Sequence, residues 1–351
     1  MQYQQLGQTG LFVSRLTLGT MTFGGAGTIF GAIGGLDQKE ADALVGRALD
    51  AGINFIDTAN VYASGESEIM TGKALGSRRH EVVLATKVHG RMGPGANEIG
   101  LSRYHIMAAA EASLKRLGTD HIDLYQIHGV DRFTPIEETL RALDDLVHQG
   151  KVRYIGCSNQ AAWHMMKALG ISAAQNLEKF VSLQAYYSLV GRDLEQEIVP
   201  FLQDTKMGLM TWSPLAGGFL SGKFRRGDVG AEGRRKVFNF PPVDVEKGFD
   251  IVDVLQKIAD RHETSVAQIA LGWQLHKDFV TTVIIGAKNL QQLNDNLGAV
   301  EVKLTAEDLA QIDAVSAPKL NYPGWMFANQ GAGRIPGTTR DWSAAAKSTF
   351  A

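Results

Sequence analysis

The feature that most constrains the fold is a regular alternation of short apolar, β-branched runs with longer segments of helical periodicity. The runs with the composition of buried strands are Ser14–Leu18, Ile53–Ile56, Val82–Thr86, Ile122–Ile127, Val152–Gly156, Phe180–Leu183, Gly208–Thr211 and Thr282–Ile285. The helical patterns between and after them are Gln38–Ala51, Ser67–Leu75, Arg103–Leu117, Pro135–Gln149, Ala161–Leu169, Asp193–Gln203, Asp250–His262 and Leu290–Leu297. Because a helical crossover separates successive strands, the strands are predicted to pair in parallel.

Two parallel architectures fit this alternation, an open doubly wound sheet and a closed (β/α)8 TIM barrel. Two features favour the barrel. There are eight strands, and the first leads into Gly19-Thr20-Met21, whereas dinucleotide-binding sheets have a G-x-G-x-x-G turn at that point. We therefore predict one α/β domain spanning residues 1–351. Within residues 1–13, the segment Tyr3–Val13 is predicted to form a β-hairpin that closes the bottom of the barrel.

Local signals define helix starts and irregular segments. Thr134 is expected to cap the helix that begins at Pro135, because proline is favoured in a first helical turn. Residues 224–247 form a long connection rich in glycine, proline and arginine, and residues 320–351 form a tail that carries Trp325 and Met326. Long segments of this kind are often functional. We expect the connection to lie near a bound cofactor, and the two tail residues either to contact substrate or to pack against the barrel.

Composition excludes several classes of protein. The formal net charge is −2, which provides no general attraction for nucleic acid or an anionic membrane. No apolar run is long enough to span a bilayer, and the first residues lack the layout of a signal peptide. The only cysteine is Cys157, so no disulfide can form within the chain. A cytoplasmic protein without a nucleic-acid or membrane partner is expected, and its oligomeric state stays open.

Polar side chains follow the strands at the points where the strands end. The residues in these positions are Gly19-Thr20-Met21, Asp57, Lys87, His128, Ser158-Asn159, Gln184, Trp212-Ser213 and Gly286. The carboxyl ends of barrel strands meet at one face, where the active sites of such barrels lie. Loops are polar in general, so one such residue indicates little. An acid, a lysine and a histidine at three successive strand ends indicate a catalytic site.

The chemistry that this set can perform is carbonyl reduction. Hydride arrival turns a carbonyl into an alkoxide, which needs a proton and electrostatic stabilisation. The pKa of a free tyrosine is too high for an efficient acid at neutral pH, but a nearby ammonium lowers it. Tyr62 lies one short loop beyond Asp57, and Lys87 is expected to reach both residues. A neutral His128 is expected to hydrogen-bond the carbonyl oxygen.

Six segments resemble the aldo-keto reductase family, in order and over nearly the whole chain. They are G-I-N-F-I-D-T-A-N-V-Y (Gly52–Tyr62), L-A-T-K (Leu84–Lys87), D-L-Y-Q-I-H (Asp123–His128), I-G-C-S-N (Ile155–Asn159), T-W-S-P-L-A-G-G (Thr211–Gly218) and I-I-G-A-K-N-L-Q-Q-L-N-D-N-L (Ile284–Leu297). Through the motif T-W-S-P-L, the chain resembles the branch of the family that contains bacterial reductases and potassium-channel β subunits. The resemblance implies a catalytic tetrad of Asp57, Tyr62, Lys87 and His128.

The resemblance also implies an extended nicotinamide cofactor and a small-molecule carbonyl substrate. The cofactor-binding positions that it implies are Gly19, Thr20, Met21, Asp57, Ser158, Asn159, Gln184, Trp212, Ser213, Leu215, Gly217, Lys223, Gly286, Lys288, Gln292 and Asn296. In that branch an arginine often stands where this chain has Lys288. Lysine keeps the positive charge for a 2′-phosphate but loses the bidentate fork, so NADPH is favoured over a weaker NADH. Arg234 is expected to fold over the phosphates.

Other interpretations of these residues stay open at this point. Asp57 could cap a strand end, His128 could be a core histidine, Ser158 and Asn159 could cap a helix, and Gln184 could bridge loops. For function, the main alternative is a redox-sensing binding protein that holds NADPH and reports its oxidation state to a partner. A metal-dependent barrel hydrolase would need clustered histidine and acidic ligands, and only Asp57 and His128 qualify. No metal is expected.

Overall fold

Eight parallel strands close into a barrel in the computed structural model, which describes residues 1–28, 31, 33–227, 235 and 239–330. The strands in chain order, with the two hairpin strands first, are β1 (Tyr3–Gln5), β2 (Phe12–Ser14), β3 (Leu16–Gly19), β4 (Phe55–Asp57), β5 (Val83–Val88), β6 (Ile122–Ile127), β7 (Val152–Ser158), β8 (Ser182–Tyr186), β9 (Gly208–Trp212) and β10 (Thr282–Ile285). β10 pairs with both β9 and β3, which closes the barrel. The predicted (β/α)8 TIM barrel is confirmed.

Helices surround the barrel and cover the outer face of its strands with apolar side chains. Among the described residues they are α1 (Gln38–Asp50), α2 (Glu66–Leu75), α3 (Arg103–Leu117), α4 (Ile136–His148), α5 (Ala162–Gln175), α6 (Ile198–Thr205), α7 (Val245–Arg261), α8 (Val266–Leu275), α9 (Leu290–Gly298), α10 (Ala306–Ser316) and α11 (Gly324–Gln330). No helix in the described part of the chain is both long enough and apolar enough to cross a membrane.

Two local predictions about helices were wrong, and α8 was among the helices that were missed. The predicted helix Asp193–Gln203 is a short 3-10 turn, Asp193–Gln196, followed by α6. The helix predicted to start after Thr134 is instead capped by Pro135, without a side-chain hydrogen bond. The hydroxyl of Thr134 donates to Asp131, so it is not available as a cap. Helix α8 was not predicted, because eight of its ten residues are buried and little amphipathic periodicity is left to detect.

The N-terminal hairpin fills the barrel from below. β1 and β2 pair antiparallel, and the fully buried Leu6 and Val13 pack against Phe55, Leu124 and Met210 inside the barrel. Between the two hairpin strands, Gly7 lies beside the amino-terminal ends of β8 and β9, where a Cβ would come within 2.4 Å of a backbone oxygen. The hairpin therefore acts as a plug that keeps the chemistry at the opposite, carboxyl-terminal face.

Leu6→Ala is expected to lower the free energy of unfolding by about 2–5 kcal/mol, because it removes buried methyl groups and leaves a cavity inside the barrel. Urea denaturation followed by circular dichroism measures the change. Phe133→Ala is the matched control: this side chain is 97% exposed, and its loss should change stability by less than about 0.5 kcal/mol. Equal losses in the two variants would show that the hairpin contributes no packing to the barrel.

Candidate active site

A cavity of about 970 Å³ opens at the carboxyl ends of the barrel strands. The sequence-predicted site residues that line it are Gly19, Met21, Asp57, Tyr62, His128, Ser158, Asn159, Gln184, Trp212, Ser213, Leu215, Gly217, Lys223, Gly286, Lys288, Gln292 and Asn296. These residues come from distant parts of the chain and meet because parallel barrel strands end at the same face. The fold therefore brings together nearly all the residues singled out from the sequence.

Three of the four predicted catalytic side chains form one connected group. Lys87 is fully buried below the cavity, and its Nζ donates to Asp57 Oδ2 at 2.6 Å and to the Thr58 carbonyl at 2.8 Å. The same ammonium lies 3.4 Å from the hydroxyl oxygen of Tyr62, to which it donates. The phenol thus has the cavity on one side and a buried cation on the other.

Lys87 is positively charged in this arrangement. Burial by itself lowers the pKa of an ammonium, but the nearby Asp57 carboxylate and Tyr62 outweigh that effect and raise the pKa of Lys87 above its ordinary value. A charged lysine favours the tyrosinate form of a neighbouring phenol. The arrangement therefore places a positive charge 3.4 Å from the phenol oxygen of Tyr62.

Two glutamine amides hold the second oxygen of the Asp57 carboxylate. Gln126 Nε2 donates to Asp57 Oδ1 at 3.0 Å, and Gln184 Nε2 donates to it at 2.9 Å. Sequence reasoning missed Gln126. The signal was present, because alternate strand residues share a face and Leu124, two positions earlier, faces the barrel interior. The Gln184 amide nitrogen thus bridges two barrel strands and not two loops, and the residue also lines the cavity.

His128 lies beside the phenol, with its ring 5.8 Å from the Tyr62 ring in an edge-to-face arrangement. Burial, together with the charges of Lys87 and His89, lowers the pKa of His128 to about 3. The imidazole is therefore neutral at physiological pH. A neutral ring can donate one hydrogen bond to an oxygen in the cavity without adding a second cation beside Lys87.

The depressed pKa of His128 predicts a pH-dependent loss of stability. Below about pH 6.5 the unfolded chain binds a proton at this histidine, while the folded protein resists protonation until about pH 3. The contribution of neutral His128 to the free energy of unfolding is therefore fully present above pH 6.5. Below pH 6.5 the free energy of unfolding falls by up to about 1.4 kcal/mol per pH unit from this group. Urea midpoints of wild type and His128→Gln at pH 7, 6 and 5 isolate this contribution. Parallel decreases in both proteins would contradict the low pKa.

The cavity is also lined by a buried serine hydroxyl without a partner and by an aromatic wall. Ser158 is buried, and its Oγ has no hydrogen-bond partner among the described residues, although it lines the cavity. Trp212 Nε1 donates to Asn159 Oδ1 at 2.9 Å, and the indole is stacked on Phe240 with centroids 5.7 Å apart. A buried polar atom without a partner costs free energy, so Ser158 is suited to hydrogen-bond a ligand amide.

The far end of the cavity is positively charged. Lys223 and Lys288 both line it, and burial together with the charge of Lys288 lowers the pKa of Lys223. Gly217 and Gly218 have positive φ values of 65° and 90°, conformations that glycine adopts readily. Asn289 caps the amino-terminal end of α9, and Gln292 in the first turn of this helix lines the cavity. Helix starts and ammonium groups are the partners that phosphate groups prefer.

Some predicted cofactor contacts lie elsewhere. Thr20 does not line the cavity, and its buried hydroxyl lies 3.0 Å from Ser67 Oγ instead. Arg234 lies outside the described residues. The neighbouring Arg235 donates to the Ala216 and Pro241 carbonyls and so holds part of the long connection beside the cavity. Trp325 contacts Tyr322 and, like Met326, does not line the cavity.

Metal chemistry finds no support in the part of the chain that the structure describes. Within it, no three histidine, cysteine, aspartate or glutamate side chains cluster closely enough to hold a metal ion. Cys157 is buried, and burial raises the pKa of its thiol, so it does not form a thiolate ligand or nucleophile at neutral pH. Tyr62, Asp57 and His128 line the cavity, and Lys87 lies directly below them.

A family model and individual relatives match most of the chain. The Aldo/keto reductase family model matches residues 15–317. The chain is 39% identical to the uncharacterized oxidoreductase YrpG of Bacillus subtilis (strain 168), over 90% of this chain and 96% of that protein. It is 35% identical to the versiconal hemiacetal acetate reductase of Aspergillus parasiticus, over 92% and 99% of the two chains. It is also 38% identical to a probable voltage-gated potassium channel subunit beta of Oryza sativa subsp. japonica, over 91% and 98%. The chain belongs to the aldo/keto reductase family of oxidoreductases.

Proposed function

We propose that the protein reduces aldehydes or ketones to alcohols with NADPH, and that Tyr62 is the proton donor. The observation that carries the proposal is the position of the Tyr62 hydroxyl, which lines the cavity while lying 3.4 Å from the buried Lys87 ammonium. An acid at the cavity surface with a cation behind it is the arrangement that alkoxide protonation requires. The neutral His128 next to it supplies a hydrogen-bond donor for the same oxygen.

Each residue has its own role in the reduction of the carbonyl group. When bound, a reduced nicotinamide would supply a hydride to the carbonyl carbon and would be left oxidised. His128 donates a hydrogen bond to the carbonyl oxygen, which positions the oxygen and stabilises the negative charge that develops on it. Tyr62 transfers its proton to that oxygen as the carbon–oxygen double bond becomes single. Lys87, held by Asp57, stabilises the resulting tyrosinate until solvent returns a proton.

The cavity suits an extended dinucleotide. Ser158 offers an unsatisfied hydroxyl, and Asn159 lies beside it, where a carboxamide needs partners. Lys223 and Lys288 at the other end of the cavity offer positive charge to phosphate groups. Two cations at the far end favour the additional 2′-phosphate of NADPH over NADH.

The rest of the substrate is expected to be apolar. Met21, Ile33, Val61 and Phe240 line the same cavity and bring no charge to it. Such walls favour aromatic or aliphatic carbonyl compounds over highly hydroxylated sugars, whose polar groups would lose their hydrogen bonds to water. A panel of benzaldehyde, hexanal, cyclohexanone and glucose tests this preference through the consumption of NADPH.

Lys288→Glu is expected to weaken NADPH binding roughly 10- to 100-fold, since a charge-assisted contact to the 2′-phosphate is replaced by repulsion. The affinity for NADH should change far less. Fluorescence titration with each cofactor measures the two effects. Lys39→Glu, at an exposed position away from the cavity, makes the same change in net charge and should leave both affinities unchanged. Equal losses for NADPH and NADH would contradict the assignment of Lys288 to the 2′-phosphate.

A second candidate function is redox sensing. It is suggested by the similarity to a probable voltage-gated potassium channel subunit beta. A sensor would bind NADPH and oxidise it about once, whereas an enzyme would turn over continuously. The intact group of Tyr62, Lys87 and His128 favours turnover. Multiple-turnover and single-turnover assays with the best carbonyl of the panel separate the two: a burst without a steady state would favour the sensor.

A further inference from the structure

The turn that carries Tyr62 has an unusual backbone. The 3-10 segment Tyr62–Gly65 contains Ala63 and Ser64 with φ values of 47° and 55°, followed by Gly65 at 96°. Left-handed conformations are costly for residues with a Cβ and persist only where the surroundings enforce them. This turn directly follows the proposed proton donor, so whatever enforces its shape also sets the position of the phenol.

A buried ion pair is placed to enforce it. Glu68, in the first turn of α2, is fully buried, and its Oε2 accepts from Arg116 Nε of α3 at 2.6 Å. Its other oxygen accepts from Thr86 Oγ1 at 2.5 Å, and Thr86 is the neighbour of Lys87 in β5. Glu68 therefore connects the helix that begins directly after the Tyr62 turn with the strand that carries the lysine.

Arg116 also contacts the turn itself. A Cβ added to Gly65 would come within 2.7 Å of Arg116 Cδ, so the aliphatic part of the arginine lies directly on this glycine. Arg116 Nη2 donates to Ser113 within α3, which holds the side chain in this orientation. The aliphatic part of the arginine thus covers the end of the left-handed segment. Its guanidinium neutralises the buried charge of Glu68, which lies between α2 and β5.

We propose that Glu68 and Arg116 are positioning residues that fix the distance between the Tyr62 hydroxyl and the Lys87 ammonium. They touch neither of these groups; they act through the Tyr62–Gly65 turn on one side and through Thr86 on the other. The inference rests on the proposed function, in which Tyr62 protonates the carbonyl oxygen. Breaking the pair lets the turn relax and moves the phenol away from the Lys87 ammonium.

Arg116→Met is expected to lower kcat roughly 10- to 100-fold with the affinity for NADPH nearly unchanged, because a small displacement of a catalytic group is costly. The alkaline limb of the pH profile of kcat/KM should move upward by about half a pH unit or more, because the ammonium then stabilises the tyrosinate less. Arg116→Met should also lower the melting temperature, because it leaves the buried Glu68 carboxylate without its partner charge. The double variant Glu68→Gln/Arg116→Met removes both charges of the pair. It should recover most of the melting temperature but not the lost kcat or the shifted alkaline limb.

Arg192→Met is the matched control. Arg192 pairs with Glu195 through two 2.8 Å contacts, is also largely buried, and does not line the cavity. This variant should lower the melting temperature and leave kcat and the pH profile unchanged. If the Arg116 variant behaves like this control, or if the double variant recovers kcat along with stability, the positioning role is overturned.

The same series includes wild type and Tyr62→Phe, which test the proposed function separately. Wild type should turn over with the carbonyl panel, and Tyr62→Phe should not. If wild type shows no turnover, or if Tyr62→Phe matches it, the proposed function fails and the positioning role fails with it. If both behave as expected and only the Arg116 and Glu68 variants do not, the positioning inference alone is wrong.

Discussion

Tyr62→Phe should lose turnover by about 10²- to 10⁴-fold and retain NADPH binding. The substitution removes one oxygen atom, which lines the cavity 3.4 Å from Lys87 Nζ, and leaves the ring and its contact with His128 in place. No other described side chain combines an acidic hydroxyl with a buried cation at this surface. Steady-state oxidation of NADPH with the best carbonyl of the panel measures the loss, and fluorescence titration measures cofactor binding.

Tyr186→Phe is the matched control for this loss. Tyr186 lies beside Trp212, but its hydroxyl is 2.9 Å from Ser188 and the residue does not line the cavity. Deleting that hydroxyl should leave turnover within about twofold of wild type, because most substitutions away from the reacting groups have small effects. Comparable turnover in Tyr62→Phe and wild type would remove Tyr62 from the acid role.

Lys87→Met should abolish turnover and destabilise the fold at the same time. Asp57 is 2% exposed, and without the ammonium its carboxylate becomes a buried, uncompensated charge. Breaking a buried pair in this way costs about 3–5 kcal/mol. Turnover should fall by at least about 100-fold, because the phenol loses the cation that makes it acidic. Urea denaturation and steady-state kinetics on the same preparation measure both effects.

The double variant Asp57→Asn/Lys87→Met separates the two effects. Asparagine keeps an oxygen to accept the hydrogen bonds from Gln126 and Gln184 but carries no charge. Most of the lost stability should therefore return, while turnover should stay as low as in Lys87→Met. If turnover returned with stability, Lys87 would act only by balancing a buried charge, and the account of Tyr62 acidity would be wrong.

The site could be predicted largely from the sequence, because its residues stand at the ends of apolar runs. Asp57, Lys87 and His128 lie at or next to the carboxyl ends of three successive strands, and the barrel brings these ends to one face. The order of the strands in the barrel can be predicted from the alternation of apolar runs and helical segments alone. The inference from strand ends to a shared cavity thus holds without any knowledge of side-chain conformation.

The residues that sequence reasoning missed are those defined by tertiary contacts. Phe240 is stacked on Trp212 from a long connection, and Gln126 points inward only because of the pleat of β6. Thr20 follows a strand as Asp57 does, yet its hydroxyl turns toward Ser67 and not into the cavity. Position along a strand predicts the face on which a residue lies, but the direction of its side chain depends on neighbours far away in sequence.

In the proposed reaction the cavity holds a nicotinamide against a carbonyl that Tyr62 protonates. Isotope transfer can follow this reaction: NADPH carrying deuterium at both C4 positions is mixed with the carbonyl panel, and the products are analysed by mass spectrometry. We expect an alcohol with one deuterium on the former carbonyl carbon from the wild-type protein and almost none from Tyr62→Phe. An alcohol without deuterium, no alcohol from any member of the panel, or equal labelled product from both proteins would contradict it.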